Sequence, residues 1–325
     1  MKKPLRIAAT LLVTSAALAY ILTQIHVVRT WHIIENASVP WLVLSAALTM
    51  VTVPPMGKRW QLLLRARGIV ESVAWLTRAY FVSYAVGQVL PTSVGGDASR
   101  IFETARRHPG QITPITGSVL LERALGLAVT LVLAGIGLVL AIGRYPIGPY
   151  IGVEILFIVG TLLAGFVFFS RSIRVRLRFA MPYARRFRLE TPARAVYDGL
   201  HGYREHPATL LNVSLITAGA QLCRVLAIYS SGRAVGIHLG VLPYVVLGPL
   251  LFLVMLVPFT VNGIGVREAF FISFLGKLGI AHDTAFACGF LFFVMTILLA
   301  LPGVGVVIWE TIASRRAHPV PDGTA

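Results

Sequence analysis

Residues 91–100 read PTSVGGDASR and residues 258–267 read PFTVNGIGVR, and the fold turns on how these two stretches are read. Each interrupts a long apolar run with proline and glycine, and each closes on an arginine nine residues after its proline. In the shared frame Val94 meets Val261, Gly96 meets Gly263 and Arg100 meets Arg267. Proline removes a backbone donor and glycine frees the backbone dihedrals, so the pair predicts two matched broken helical hairpins.

What surrounds the two interruptions is suited to lipid. Of 325 residues, 56% are hydrophobic and only 13% charged, with a mean hydropathy of +0.79. A soluble domain carries roughly a quarter charged residues, so the chain reads as an all-α polytopic membrane protein. Full spans are expected at about 7–25, 40–56, 115–142, 150–169, 208–229 and 285–309, each near the length that crosses a hydrocarbon core. The first follows Met1-Lys2-Lys3 and runs past Ala17-Leu18-Ala19, which favours an uncleaved span over a signal peptide.

Charge sets the orientation. Lys58, Arg59, Arg65 and Arg67 follow the second span, and residues 171–206 carry nine Arg against Glu190, Asp198 and Glu205, so both belong in the cytoplasm. The stretch 73–90, with Arg78 inside it, has basic residues on both sides, and a single crossing there would break the charge rule. A re-entrant hairpin obeys it, since irregular backbone is tolerated at membrane depth where protein or trapped water covers it. The stretch 241–257, resuming as helix from Ala269, is its counterpart from the outside.

The resulting architecture is one membrane domain, 1–325, with six full spans plus two re-entrant or broken hairpins in inverted repeats. Its first half is 1–170, its cytoplasmic basic linker 171–206 and its second half 207–325. Counting the interrupted stretches as crossings gives eight transmembrane helices instead. Both termini fall in the cytoplasm of a cell that keeps the protein in its inner membrane. Within the linker, Thr191-Pro192 starts a helix with Val196, Leu200 and Tyr203 on one face, either a solvated connector or an interfacial helix on lipid.

The formal charge of +16 would suggest nucleic acid in a soluble protein; here it points to anionic lipid at the cytoplasmic face. Cys223 and Cys288 lie in apolar segments and serve packing, and the eight histidines show no metal-ligand spacing. Gly263-Ile-Gly265 and Gly303-Val-Gly305 do not continue as dinucleotide loops, and no Gly-Lys is followed by Ser or Thr. No cofactor or metal is expected.

An ionisable residue within a membrane segment costs several kcal/mol unless paired or hydrated, which singles out Arg78, Asp97, Arg100, Glu122, Arg123, Arg224, Arg267 and Glu268. Arg100 and Arg267 stand just after the interruptions, where a helix start and a guanidinium together suit a phosphate; alternatively each satisfies Asp97 or Glu268 structurally. Glu122 and Arg123 are adjacent, about 100° apart on a helix, so each needs another partner. Arg224 is expected to pair with Glu122 or Glu268. Thr92, Ser93, Thr260 and Asn262 offer neutral hydrogen-bonding groups at the breaks, with Gln88 and Tyr84 of the same kind.

At these residues the chain resembles the lysylphosphatidylglycerol synthase transmembrane, or flippase-like, family. The resemblance rests on Gln88 to Asp97 with Arg100, on Leu121-Glu122-Arg123, on the Arg224 segment and on Gly263 to Glu268, in that order. It implies a membrane domain that moves a polar or anionic lipid headgroup between leaflets, in some members fused to a cytosolic aminoacyltransferase. The sequence continues for about sixteen residues past its last span, so lysyl transfer is not expected.

Three functions follow from the sequence. The first is a lipid translocase that is not an enzyme, with membrane lipid as substrate. The second is a membrane-embedded transferase on a lipid carrier, against which stands the absence of a DxD among Asp97, Asp198, Asp283 and Asp322. The third is a scaffold for lipid or glycan biosynthesis proteins docking on 171–206. Oligomeric state is not legible.

Overall fold

The structure is a computed structural model that describes residues 19, 23–89, 95–146, 148–169, 203, 205–256 and 263–317. All regular structure among them is helical, in twelve helices: α1 (Val27–Glu35), α2 (Val39–Val51), α3 (Val53–Arg65), α4 (Val73–Val89), α5 (Gly95–Arg107), α6 (Ile112–Ala141), α7 (Gly148–Phe169), α8 (Pro207–Ala234), α9 (Leu242–Leu256), α10 (Val266–Gly276), α11 (His282–Leu298) and α12 (Ala300–Ala317).

Four continuous helical stretches are long and apolar enough to cross a membrane: Val39–Arg65, Ile112–Ala141, Pro207–Ala234 and His282–Ile312. They coincide with four of the six expected spans. The fifth is the apolar helix α7, Gly148–Phe169, and the first lies almost wholly outside the described residues. The loop expected between the first two spans instead contains α1, anchored where the His26 N–H donates to Asp283 Oδ1 at 2.7 Å. The interruption at 90–94, the one at 257–262 and nearly all of the basic linker also lie outside the described residues.

α8 is the hub, packing against α2, α3, α6, α9 and α11. The largest core gathers around it from Val225, Ile228, Tyr244, Leu247, Phe271 and Phe274. The outer faces are as apolar as the inner ones. Leu211, Leu215, Leu222 and Leu226 recur along α8, and Val132, Ile136, Val139 and Leu140 along α6, all exposed. An exposed apolar stripe of that length is a liability in water and is the normal surface of a helix in lipid.

Polar ties collect the loops at two ends. At one end Arg107 donates to Glu71 at 2.6 Å, His108 lies 3.1 Å from the same carboxylate, and Arg78 joins Glu103 at 2.6 Å and also Glu310. Tyr203 donates to the Leu63 carbonyl at 2.8 Å on that side. At the other end the Ser38 N–H donates to the Ala234 carbonyl at 2.9 Å, and Asp283 receives α1. α4 and α5 are therefore an antiparallel pair with both feet at the first end, tied by Glu71 and Arg107. α12, from the far end of the sequence, packs along α4 with Gly303 pressed against the Phe81 carbonyl, where a Cβ would overlap it.

Candidate functional site

The site starts at a junction where sequence and structure differ. Pro54-Pro55 was expected to end the second span and release Lys58 and Arg59 to the cytoplasm. Instead Thr52, with φ −71° and ψ −20°, joins α2 to α3, and the prolines occupy the first turn of α3, where a missing N–H has no intrahelical partner to lose. The helix continues inward, and Arg59, Trp60 and Gln61 are buried.

Opposite Arg59, Glu122 stands on α6 about 15 Å from the helix start, roughly a third of the way along its 30 residues. It accepts from Arg59 and from the Tyr80 hydroxyl, and from Arg100 Nη1 at 3.0 Å. Arg100 Nε donates on to Asp97 at 2.9 Å, and Asp97 accepts from Arg123. The chain Arg59–Glu122–Arg100–Asp97–Arg123 alternates in sign along its whole length. Arg100 is further held between the rings of Trp60 and Tyr80, 4.6 and 4.5 Å from its guanidinium carbon. Such aromatic faces stabilise a desolvated cation. Adjacent Glu122 and Arg123 take different partners, as their angular offset requires.

A cavity of about 350 Å³ opens beside this network, between α3, α6, α8 and α9. Arg59, Glu122, Arg123 and Arg224 line it with Thr130, Thr217 and Gln221, and Met56, Phe252, Leu253 and Met255 complete its apolar wall. Thr217 accepts from Arg59 at 2.9 Å, and Gln221 donates to Thr130 at 2.7 Å. Arg59 Nε and Gln221 Oε1 are buried without a hydrogen-bond partner among the described residues.

Arg224 was expected to pair with Glu122 or Glu268 and pairs with neither. Its Nη2 lies 3.4 Å from the Tyr84 hydroxyl and 3.4 Å from the Met56 sulfur, and its guanidinium lies 5.7 Å from the Phe252 ring. Among the described residues no carboxylate reaches it. It is half-buried and lines the cavity.

The second interruption is different. Gly263 and Gly265 have φ of +73° and +88°, a left-handed backbone that glycine adopts without strain. Arg267 donates to Glu268 at 2.6 and 2.9 Å, and Glu268 accepts from the Gly265 N–H at 2.7 Å, capping α10. Phe293 covers the Arg267 guanidinium at 4.1 Å. This pair makes no hydrogen bond or ion pair with the first network, and neither residue lines the cavity.

The residues expected to bind therefore divide. Glu122, Arg123 and Arg224 line the cavity, and Asp97 and Arg100 stand directly behind Glu122 and Arg123. Arg100 and Arg267 are both 2% exposed and committed to different carboxylates, Arg100 to Glu122 and Asp97 and Arg267 to Glu268, so the structure does not bring the two together. Arg78 is a tie at the charged end. Thr92, Ser93, Thr260 and Asn262 lie outside the described residues. Arg59, Thr130, Thr217 and Gln221 are additions to the lining. The helical recurrence of Val53, Met56 and Trp60 past the prolines was the signal that could have placed Arg59 inside.

The family model described as Lysylphosphatidylglycerol synthase TM region matches residues 7–303, and the chain belongs to that family. It is a multi-pass membrane protein. No curated protein matches the chain.

Proposed function

As a member of the lysylphosphatidylglycerol synthase TM region family, the chain is, we propose, a lipid translocase that moves a polar or anionic headgroup between the leaflets of the inner membrane. The observation that carries this reading is the cavity of about 350 Å³ at mid-helix depth, with three arginines in an otherwise largely apolar wall. That volume lies at the small end of ligand sites and takes a headgroup while the acyl chains stay in the bilayer.

The mechanism follows from where charge is fixed and where it is not. Arg59, Arg100 and Arg123 are held by two carboxylates, so the network is a fixed wall that retains a positive excess. Arg224 faces it from α8 with weak neutral partners among the described residues. The α4/α5 pair enters as a re-entrant hairpin from the charged end, which we place in the cytoplasm together with both termini. The α9/α10 pair enters from the opposite side as its inverted counterpart. Rocking of these halves about the cavity exposes it first to one leaflet and then to the other. Fixed donors replace headgroup hydration, which is what makes the hydrocarbon crossing slow without a protein.

The test is reconstitution of the full chain in vesicles that carry a reporter lipid in one leaflet. The parent protein is expected to equilibrate the reporter, and Arg224→Ala and Glu122→Gln to slow it by at least about tenfold. A preparation that moves no lipid of any class refutes the translocase, and a chemically altered lipid assigns a transferase instead.

A further inference from the structure

We propose that the cavity selects a phosphate-bearing headgroup with net negative charge, rejects an aminoacylated one, and does so through Arg224. This rests on the translocase reading above and narrows its substrate.

The argument is a charge count. The network and cavity hold Arg59, Arg100, Arg123 and Arg224 against Asp97 and Glu122, four positive charges against two negative. Neither carboxylate is available to a new cation. Glu122 already serves Arg59, Arg100 and Tyr80, and Asp97 already serves Arg100 and Arg123. The excess sits at membrane depth, where charge without a counterion is costly, and Arg224 lines the cavity with no carboxylate reaching it among the described residues. A phosphodiester brings the missing negative charge and presents two oxygens to the planar fork of a guanidinium.

A lysyl ester of the same lipid carries two ammonium groups. They would enter a cavity already in cationic excess and find, among the described lining residues, the Thr130 and Thr217 hydroxyls and the Gln221 carbonyl as the uncharged side-chain acceptors. Repulsion of that kind discriminates more strongly than a lost contact. The cavity is thus poorly built for the lysylated lipid in the family's description. Gln221 Oε1, buried without a partner among the described residues, is an acceptor in the cavity lining for a headgroup hydroxyl, which a glycerol or sugar phosphate supplies.

The experiment offers the full chain phosphatidylglycerol, phosphatidylethanolamine, lysylphosphatidylglycerol and inorganic phosphate at equal concentration. Retention is read by native mass spectrometry, and transfer of the three lipids in vesicles. Phosphatidylglycerol is expected to be retained and moved at least about tenfold over the lysylated lipid. Arg224→Gln should erase that ratio and Arg224→Glu invert it, with the melting temperature confirming that each variant folds. Equal or better retention of the lysylated lipid overturns the proposal, as does an unchanged ratio in Arg224→Gln. Retention of inorganic phosphate in place of lipid assigns the site to a free anion and overturns the headgroup. Movement of the cationic lipid alone refutes this selectivity and leaves the translocase standing. Selective retention with no movement of any lipid refutes the translocase itself.

Discussion

Arg100 and Arg267 close the same sequence frame, yet they are wired into different things. Arg100 reaches across helices to Glu122 and is sandwiched by Trp60 and Tyr80; Arg267 is satisfied by its own neighbour Glu268 and by Phe293. The spacing makes the reason visible. Glu122 lies 22 residues after Arg100, and 22 residues after Arg267 stands Gly289, packed against Phe271. The second half has no carboxylate at the matching place, so its arginine turns to the residue beside it. A repeated backbone pattern does not repeat its chemistry: the first half supplies the network of paired charges, and the second supplies Arg224, Thr217, Gln221 and most of the apolar wall.

The sharpest way to break this comparison is at Glu122. Glu122→Ala leaves two buried guanidinium groups without their shared carboxylate, a loss expected to cost roughly 3–5 kcal/mol. Its thermal unfolding in detergent should drop well below that of Glu268→Ala, where the remaining cation stands alone. Equal drops would mean that the halves are wired alike. A double-mutant cycle sharpens the same point. Arg100→Ala and Arg267→Ala should add to within about 0.5 kcal/mol, as sites without shared partners do, whereas Arg100→Ala with Glu122→Ala should not.

Smaller effects separate the two breaks themselves. A Cβ on Gly96 would lie 2.5 Å from the Ser83 carbonyl oxygen, a backbone atom that cannot turn aside, so Gly96→Ala is expected to cost about 1–3 kcal/mol. At Gly263 the obstruction is the flexible end of Met255, and the backbone strain at φ +73° leaves a cost of about 1 kcal/mol for Gly263→Ala. Unfolding midpoints of the two variants in the same detergent check the order. Smallest of all, Glu310→Gln removes a half-exposed partner of Arg78, which keeps Glu103, and should change stability by only about 0.5 kcal/mol.

The sequence made the bundle legible because lipid imposes long apolar helices, and four of the expected spans reappear, the one at 40–56 running on to Arg65. It also made legible that Glu122, Arg123 and Arg224 belong to a site, since charge inside an apolar run has few structural uses. What it hid was partnership. Arg59 was hidden because a proline pair marks a helix start as readily as an end, and only the neighbours of α3 decide between them. Thr130, Thr217 and Gln221 carry no charge and sit unremarked among apolar residues. Arg267 looked equivalent to Arg100 because the local frame is the same, and the difference lies 22 residues away in sequence.

The contact of Gly303 with the Phe81 carbonyl has a bearing on how the protein is made. α4 emerges from the ribosome early, but the helix that clasps it, α12, is synthesised only after all the helices between them. Until then the α4/α5 hairpin and its arginines must wait in the translocon or at the lipid interface without their final neighbour. Assembly of the first half is consequently timed by the second, and a nascent chain halted before residue 300 holds a hairpin open on one side, ready for quality control to find.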